Sequence, residues 1–199
     1  MPPKPKYTRE EITLEAVNLV REKGENALTA RELGARLGTT ARPIFTAFKN
    51  MDEVKEAVLM KADEIFFKFR EEEIKKNDMP RYKAIGTAYI RFAAEEKNLF
   101  KLKFMRDRTD KTGLLENEID SDALSTIEMQ TGFSEETSNM FHTEMWLFAH
   151  GIATTLASSY LDWSPEQIGA LLADAYKSFK WLYENKKESE ITEEKQCSK

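Results

Sequence analysis

Apolar side chains recur every three or four residues along most of this chain, and strict alternation is not sustained anywhere. That spacing predicts amphipathic helices and no sheet. The first apolar stripe is Ile12, Ala16, Val17 and Val20. Thr8 and Glu11 open it as a capping box and Gly24 closes it. Leu33 and Leu37 stripe a short helix that Thr29 and Glu32 open in the same way. Gly38 is placed to end it in the left-handed conformation, and Thr40 to cap a second short helix. Ile44 and Phe48 of that second helix dock on the first. Asn50, with Glu53 three residues on, opens a long helix carrying Val54, Val58, Ile65 and Phe69, which fades into a charged run at 71–76.

A second block begins near Asp78-Met79-Pro80. The pattern predicts helices over 82–96 and 99–105 meeting near Asn98. A polar loop at 107–122 with Asp110 and Gly113 follows, then a helix to about 131. Ser134 caps a long helix to about 160. Ser164-Pro165-Glu166-Gln167 joins a cap, a first-position proline and a capping-box glutamine, and starts a last helix to about 185. The predicted fold is all-α. An N-terminal three-helix helix-turn-helix domain (1–60) is joined by a long helix to a larger helical domain (61–186). A polar tail (187–199) is expected to be disordered.

Composition narrows the function. Charged residues make up 33% of the 199, which suits a highly solvated helical protein. The single cysteine, Cys197, allows no internal disulfide and no multi-cysteine metal site. No apolar run approaches the ~18–20 residues of a membrane span, and no apolar signal core follows the N-terminus. The expected location is the cytoplasm. The formal net charge is -5, but residues 1–50 hold nine Lys/Arg against six Asp/Glu, while the rest holds 21 against 29. A basic front on an acidic body suits a chain whose N-terminal part alone meets phosphate.

Two short helices joined by a tight turn at 29–48 have the layout of a helix-turn-helix, whose second helix enters the DNA major groove. Arg42, in the first turn of that helix, can bond guanine O6 and N7 together, against the plain alternative of a solvated arginine. Thr39, Thr40, Ala41 and Thr46 are the other groove-facing candidates, Ala41 toward a thymine methyl. Thr29, Arg31, Phe45 and Lys49 are placed to approach the DNA backbone. Lys4 and Lys6 form either a basic arm onto DNA or an ordinary disordered terminus.

At this point the spacing becomes specific. Glu11-Ile-x-x-Glu-Ala16, Glu22-Lys-Gly24, Leu28-Thr-Ala-Arg-Glu-Leu33, Leu37-Gly38 and Pro43-Ile-Phe-x-x-Phe48 resemble the DNA-binding domain of the tetracycline-repressor (TetR) family of bacterial transcription regulators, over roughly residues 7–60. Residues Trp146, His150 and Gly151, with Tyr89-Ile-Arg-Phe92 and Asn98-Leu-Phe-Lys-Leu-Lys-Phe104 before them, resemble a C-terminal regulatory domain of such proteins known by a Trp-His-Gly signature. Two positions depart from the family. Phe45 stands where the family has a tyrosine that bonds a phosphate, and Met51 stands where a lysine is frequent; Lys49 is placed to take that lysine's role.

The second block carries large, soft side chains that suit either a core or a reshaping cavity. The resemblance implies that some line an effector cavity. The candidates are Tyr89, Phe92, Phe104, Met129, Phe141, Met145, Trp146 and His150. His142 and His150 lie eight residues apart on one helix, ~12 Å of rise, so they cannot share one metal ion. No metal site, no cofactor and no catalytic constellation is found, so the chain is not read as an enzyme. The last two helices are apolar on more than one face, which predicts burial against a second copy. Ile152, Leu156, Ile168, Leu172, Ala175 and Phe179 are the candidate contacts. The reading is a homodimeric transcriptional repressor. It is released from palindromic double-stranded operator DNA by a small apolar or aromatic effector, without a membrane partner. The alternative is a helical small-molecule binding or scaffold protein that no longer binds DNA.

Overall fold

A computed structural model describes residues 7–105 and 120–185. The predicted arm with Lys4 and Lys6, most of the 107–122 loop and the 187–199 tail lie outside the described residues. Within them the chain is all-helical, with no strand. The elements are α1 (Arg9–Lys23), α2 (Ala30–Arg36), α3 (Arg42–Ala47), α4 (Met51–Lys76), α5 (Arg81–Glu95), α6 (Lys97–Phe104), α7 (Ser121–Thr131), α8 (Glu135–Ala157) and α9 (Pro165–Asn185). A short 3₁₀ turn, Glu25–Ala27, links α1 to α2.

Local chemistry sets most of the boundaries. The capping box at Thr8 and Glu11 is complete, and Gly24 ends α1 at φ +80°. At α9, Gln167 N–H donates to Ser164 Oγ (3.2 Å) and Ser164 N–H donates back to Gln167 Oε1 (2.9 Å). Asn50 accepts from Glu53 N–H at 2.9 Å. Asn77, not a glycine, ends α4 in the left-handed conformation at φ +50°. α5 and α6 are separated by Glu96 alone, two residues earlier than the predicted break. α8 stops at Ala157, three residues short of the predicted end.

α1, α2 and α3 pack around Ile12, Val17, Leu33, Ile44 and Phe48, each at most 2% exposed. This apolar cluster does not end at residue 60. It continues through Val54, Val58 and Ala62 of α4 to Phe92, Leu99 and Phe100 of α5 and α6. Burying each such side chain contributes about 1.5–3 kcal/mol. A second cluster joins Tyr82, Ile127, Phe141, Met145 and Tyr183 from α5, α7, α8 and α9. Glu73, 2% exposed, ties α4 to α5: its carboxylate accepts from Lys76 (2.6 Å) and Arg91 (2.7 Å). Burial pushes its carboxyl pKa up, but these two cations outweigh that and hold it below the usual carboxylate range.

Candidate nucleic-acid interface and ligand cavity

The α2–α3 unit is built from short-range rules and one close approach. Thr29 Oγ1 accepts from Glu32 N–H at 3.2 Å. The predicted reciprocal bond is replaced, because the Glu32 carboxylate turns to Lys23 at 3.1 Å. Gly38 holds φ +63°, as its position requires. A Cβ on Gly34 would stand 3.0 Å from the Thr40 carbonyl carbon and 3.2 Å from Ala41 N, so α2 meets the turn through a bare backbone. α3 starts one residue later than predicted. Ala41, not Thr40, is its N-cap, and Thr40 Oγ1 reaches only Arg42 N–H, at 3.4 Å. A cap at Thr40 would have Pro43 as third helical residue, and proline has no N–H to give it.

Leu33, Leu37, Ile44 and Phe48 point inward. Arg42, Phe45 and Thr46 form the outer face of α3 and are exposed; Thr40 is exposed before it, and Thr39 and Ala41 are half-buried. Thr46 Oγ1 donates to the Arg42 carbonyl at 3.1 Å. Thr29 and Arg31 on the α2 side and Lys49 after α3 are exposed. Several other cations of these helices are held internally. Arg36 binds Glu15 (2.6 Å) and Glu22 (2.7 Å). Arg9 binds Glu53 (3.0 Å) and lies over the Phe48 ring at 4.1 Å. Lys55 pairs with Glu25. Among the described residues, Arg31, Arg42 and Lys49 form no ion pair. Three uncommitted cations flank one exposed helix face, an arrangement that can meet a phosphate backbone.

In the second block a cavity of about 920 Å³ opens between α4, α5, α6, α7, α8 and α9, a size suited to a drug-sized ligand. It lies between the two apolar clusters and is walled by members of both, Tyr89 and Leu172 from one, Tyr82 and Met145 from the other. Of the predicted lining, Tyr89, Phe104, Met145 and Trp146 are in place. Phe92 and Phe141 are not: both are 0% exposed and packed solid, Phe92 against Phe66 and Phe69, Phe141 against Tyr176 and Tyr183. Met129 is also misplaced, 83% exposed on the outside of α7. His150 stands behind the wall. Its Nδ1 is 2.7 Å from the Tyr89 hydroxyl, and its ring stacks on Trp146 at 5.0 Å and 17°. Trp146 and His150 of α8 and Tyr89 of α5 therefore brace two cavity walls against each other, and Gly151 takes no part in this.

The lining also includes residues that sequence reasoning did not single out for it. Tyr82, Gly86 and Tyr89 share one face of α5, and His142, Met145, Trp146 and Ala149 one side of α8. Extending these faces by one or two helical turns from Tyr89 and Trp146 finds Tyr82, Gly86, His142 and Ala149. The Tyr82 hydroxyl is 3.0 Å from His142 Nδ1. Burial pushes the His142 pKa down and the Tyr82 pKa up, so both are neutral. Arg70 binds Asp120 and Asp122, each at 2.5 Å, and Arg81 binds Asp122 at 2.8 Å. These contacts close the α4–α7 side.

The predicted subunit contacts need correction. Ile152, Leu156, Leu172 and Ala175 are at most 8% exposed within the chain itself, so they belong to its own core, and Leu172 also walls the cavity. Ile168 and Phe179 are half-buried. The exposed apolar residues of these helices are different ones. Met140, Leu147 and Phe148 of α8 are 43%, 56% and 36% exposed, and Trp181 of α9 is 66% exposed. The spacing 140, 144, 147, 148, 151 puts the α8 set on one helix face with Gly151, where a Cβ would meet nothing within 4 Å.

Among the described residues no group of three His, Cys, Asp or Glu could hold a metal ion, and no helix is long and apolar enough to cross a membrane. Neither a protein-family model nor a curated protein matches the chain.

Proposed function

We propose that this chain is a ligand-responsive transcription regulator of the TetR kind, a homodimer that binds a palindromic operator and leaves it when an apolar or aromatic effector fills the cavity. The observation that carries the reading is the outer face of α3. It is presented by a helix-turn-helix whose inner face is fully buried, and Arg31, Arg42 and Lys49 around it are uncommitted while Arg9, Arg36 and Lys55 are paired internally. Phosphate contacts would come from Thr29, Arg31 and Lys49. Base contacts would come from Arg42, Thr46 and the turn before them. Phe45, 48% exposed, offers a flat apolar face and no hydroxyl to a phosphate.

α6 supplies a route between the two sites. Its last turn gives Lys103 and Phe104 to the cavity. At its other end Glu96 takes Arg21 of α1 in a two-point bond (2.9 and 2.7 Å), and Asn98 donates to the Arg21 carbonyl at 2.8 Å. An effector that pushes Phe104 would shift α6 and, through Arg21, α1 and the recognition helix. It acts only as far as it binds one arrangement better than the other. The exposed faces of α8 and α9, with Phe148 and Trp181, are the surface for a second copy.

The test is selection from a randomised duplex pool together with light scattering. The expected result is a dimer that enriches two inverted half-sites about one helical turn, ~34 Å, apart. Phe148→Glu is expected to yield monomers that enrich nothing. A stable monomer in the unmutated chain, or a pool without a palindrome, would favour the DNA-free binding protein instead, the reading that the net charge of -5 supports.

A further inference from the structure

The cavity has a charge pattern that its apolar walls do not explain. Two of its cations are committed, Arg70 to Asp120 and Asp122, and Lys103 to Asp63. Lys83 of α5 and Lys177 of α9 also line it; both are exposed, and among the described residues neither pairs with a carboxylate. Asp120 is the one acid in the described lining, and Arg70 holds it. Each lysine follows a cavity-lining tyrosine on its own helix. Tyr82 and Tyr176 have ring centroids 6.1 Å apart, and Lys83 and Lys177 are the next residues along their helices. In the first turn of α5 no side chain caps the helix and no carboxylate is present; Arg81 there is held by Asp122, which leaves Lys83 as its unpaired cation among the described residues.

A cation entering this space meets two unpaired ammonium groups and no unpaired acid. A neutral molecule buries its apolar body and leaves the ammonium groups as they were. An anion with an apolar body satisfies both features. We propose that the cavity takes a monoanionic amphiphile, an aliphatic or aromatic carboxylic acid, with its carboxylate at Lys83 and Lys177 and its apolar body against Phe104, Met145 and Trp146. The proposal rests on reading the cavity as the effector site and names the class of effector. It also sets this cavity apart from one that would admit cationic amphiphiles.

The test is calorimetric titration of the full chain, without DNA, with decanoate, decan-1-ol and decyltrimethylammonium below their micelle concentrations. Decanoate is expected to bind tightest. In the Lys83→Gln/Lys177→Gln double variant decanoate is expected to bind about tenfold more weakly, the size of two partly screened ion pairs, with decan-1-ol unchanged. Both lysines are exposed, so the fold is not at risk, and Trp146→Ala should weaken decanoate and decan-1-ol alike. Equal or tighter binding of the cation, parallel loss of decanoate and decan-1-ol in the lysine variant, or no binding of any of the three overturns the proposal. Because DNA is absent, a negative result here leaves the operator reading standing, and a failed operator assay leaves this one standing.

Discussion

The first three helices and the block from α5 to α9 use similar apolar side chains and end with different interiors. Around Leu33, Ile44 and Phe48 each large residue is met from every side, and Arg42 and Thr46 are left exposed on the outer face of α3. In the later block the aromatic residues divide. Phe92, Phe100 and Phe141 are packed solid, while Tyr89, Phe104 and Trp146 stand around about 920 Å³ of open space. The difference follows from the bracing. Tyr89, His150 and Trp146 are fixed to one another by a hydrogen bond and a ring stack, so they hold a wall without being pressed from the other side. A region that presents a rigid helix needs the first kind of interior; one that must accommodate a ligand needs the second.

The sharpest way to break this contrast is to truncate one residue in each interior. Leu33→Ala is expected to cost about 3–5 kcal/mol in urea denaturation, since the packed site cannot relax, and Met145→Ala about 2 kcal/mol or less, since its neighbours already border open space. Equal costs would mean that the cavity walls are as tightly packed as the N-terminal core.

Two glycines sharpen it further. Gly34→Ala is expected to lose about 1–3 kcal/mol, because the new methyl presses on the Thr40 backbone at 3.0–3.1 Å. Gly86→Ala, in α5 beside the cavity, meets nothing within 4 Å and is expected to gain about 0.4–1 kcal/mol. Thermal melts of the two variants moving in the same direction would contradict this.

The smallest expected effect is a pH dependence confined to the cavity. Burial holds the His142 pKa below its ordinary 6.5, with the Asp120 charge opposing and Arg70 assisting. The unfolded chain therefore takes up this proton first. Stability from this group is intact above about pH 6.5, falls as the pH drops below that, and levels off once the folded pKa is passed. The carboxyl of Asp122, hydrogen-bonded to Arg81, is held low and loses its share only in more acid solution. Melts compared between about pH 7.5 and about pH 5.5 should fall less for His142→Gln than for the unmutated chain. An unchanged slope would show that the imidazole is hydrated.

Much of this architecture is legible from local sequence. Thr8 with Glu11, Asn50, Gly38 and Ser164 with Gln167 each satisfy backbone groups within four residues of themselves, so pattern alone locates them. The inner and outer faces of α3 follow from Ile44 and Phe48 in the same way. What needed the third dimension was partnership across elements. Nothing in the sequence separates Arg36, which two acids of α1 hold, from Arg31 and Arg42, which none holds. Whether an aromatic residue lines or fills is set by helix rotation of a few tens of degrees: Phe92 and Phe141 fill, while Tyr82 and Tyr176 line the cavity. Met129 faces outward, on the side of α7 opposite the buried Ala123 and Ile127. In α8 and α9 apolar side chains lie on more than one face. The residues facing out, Leu147, Phe148 and Trp181, are not those that the strongest stripes suggested.

The central claim is that the outer face of α3 reads DNA, and Arg42 tests it most directly. Fluorescence anisotropy would follow the dimer on the palindromic duplex recovered by selection, at two salt concentrations, with Arg42→Ala and Arg31→Ala beside the unmutated chain. The account predicts salt-dependent binding that Arg42→Ala weakens by about 1–3 kcal/mol while relaxing the preference at one base pair of each half-site. Arg31→Ala should instead weaken all sequences evenly and lower the salt slope by about one. Binding that Arg42→Ala leaves unchanged in both affinity and base preference would contradict the account.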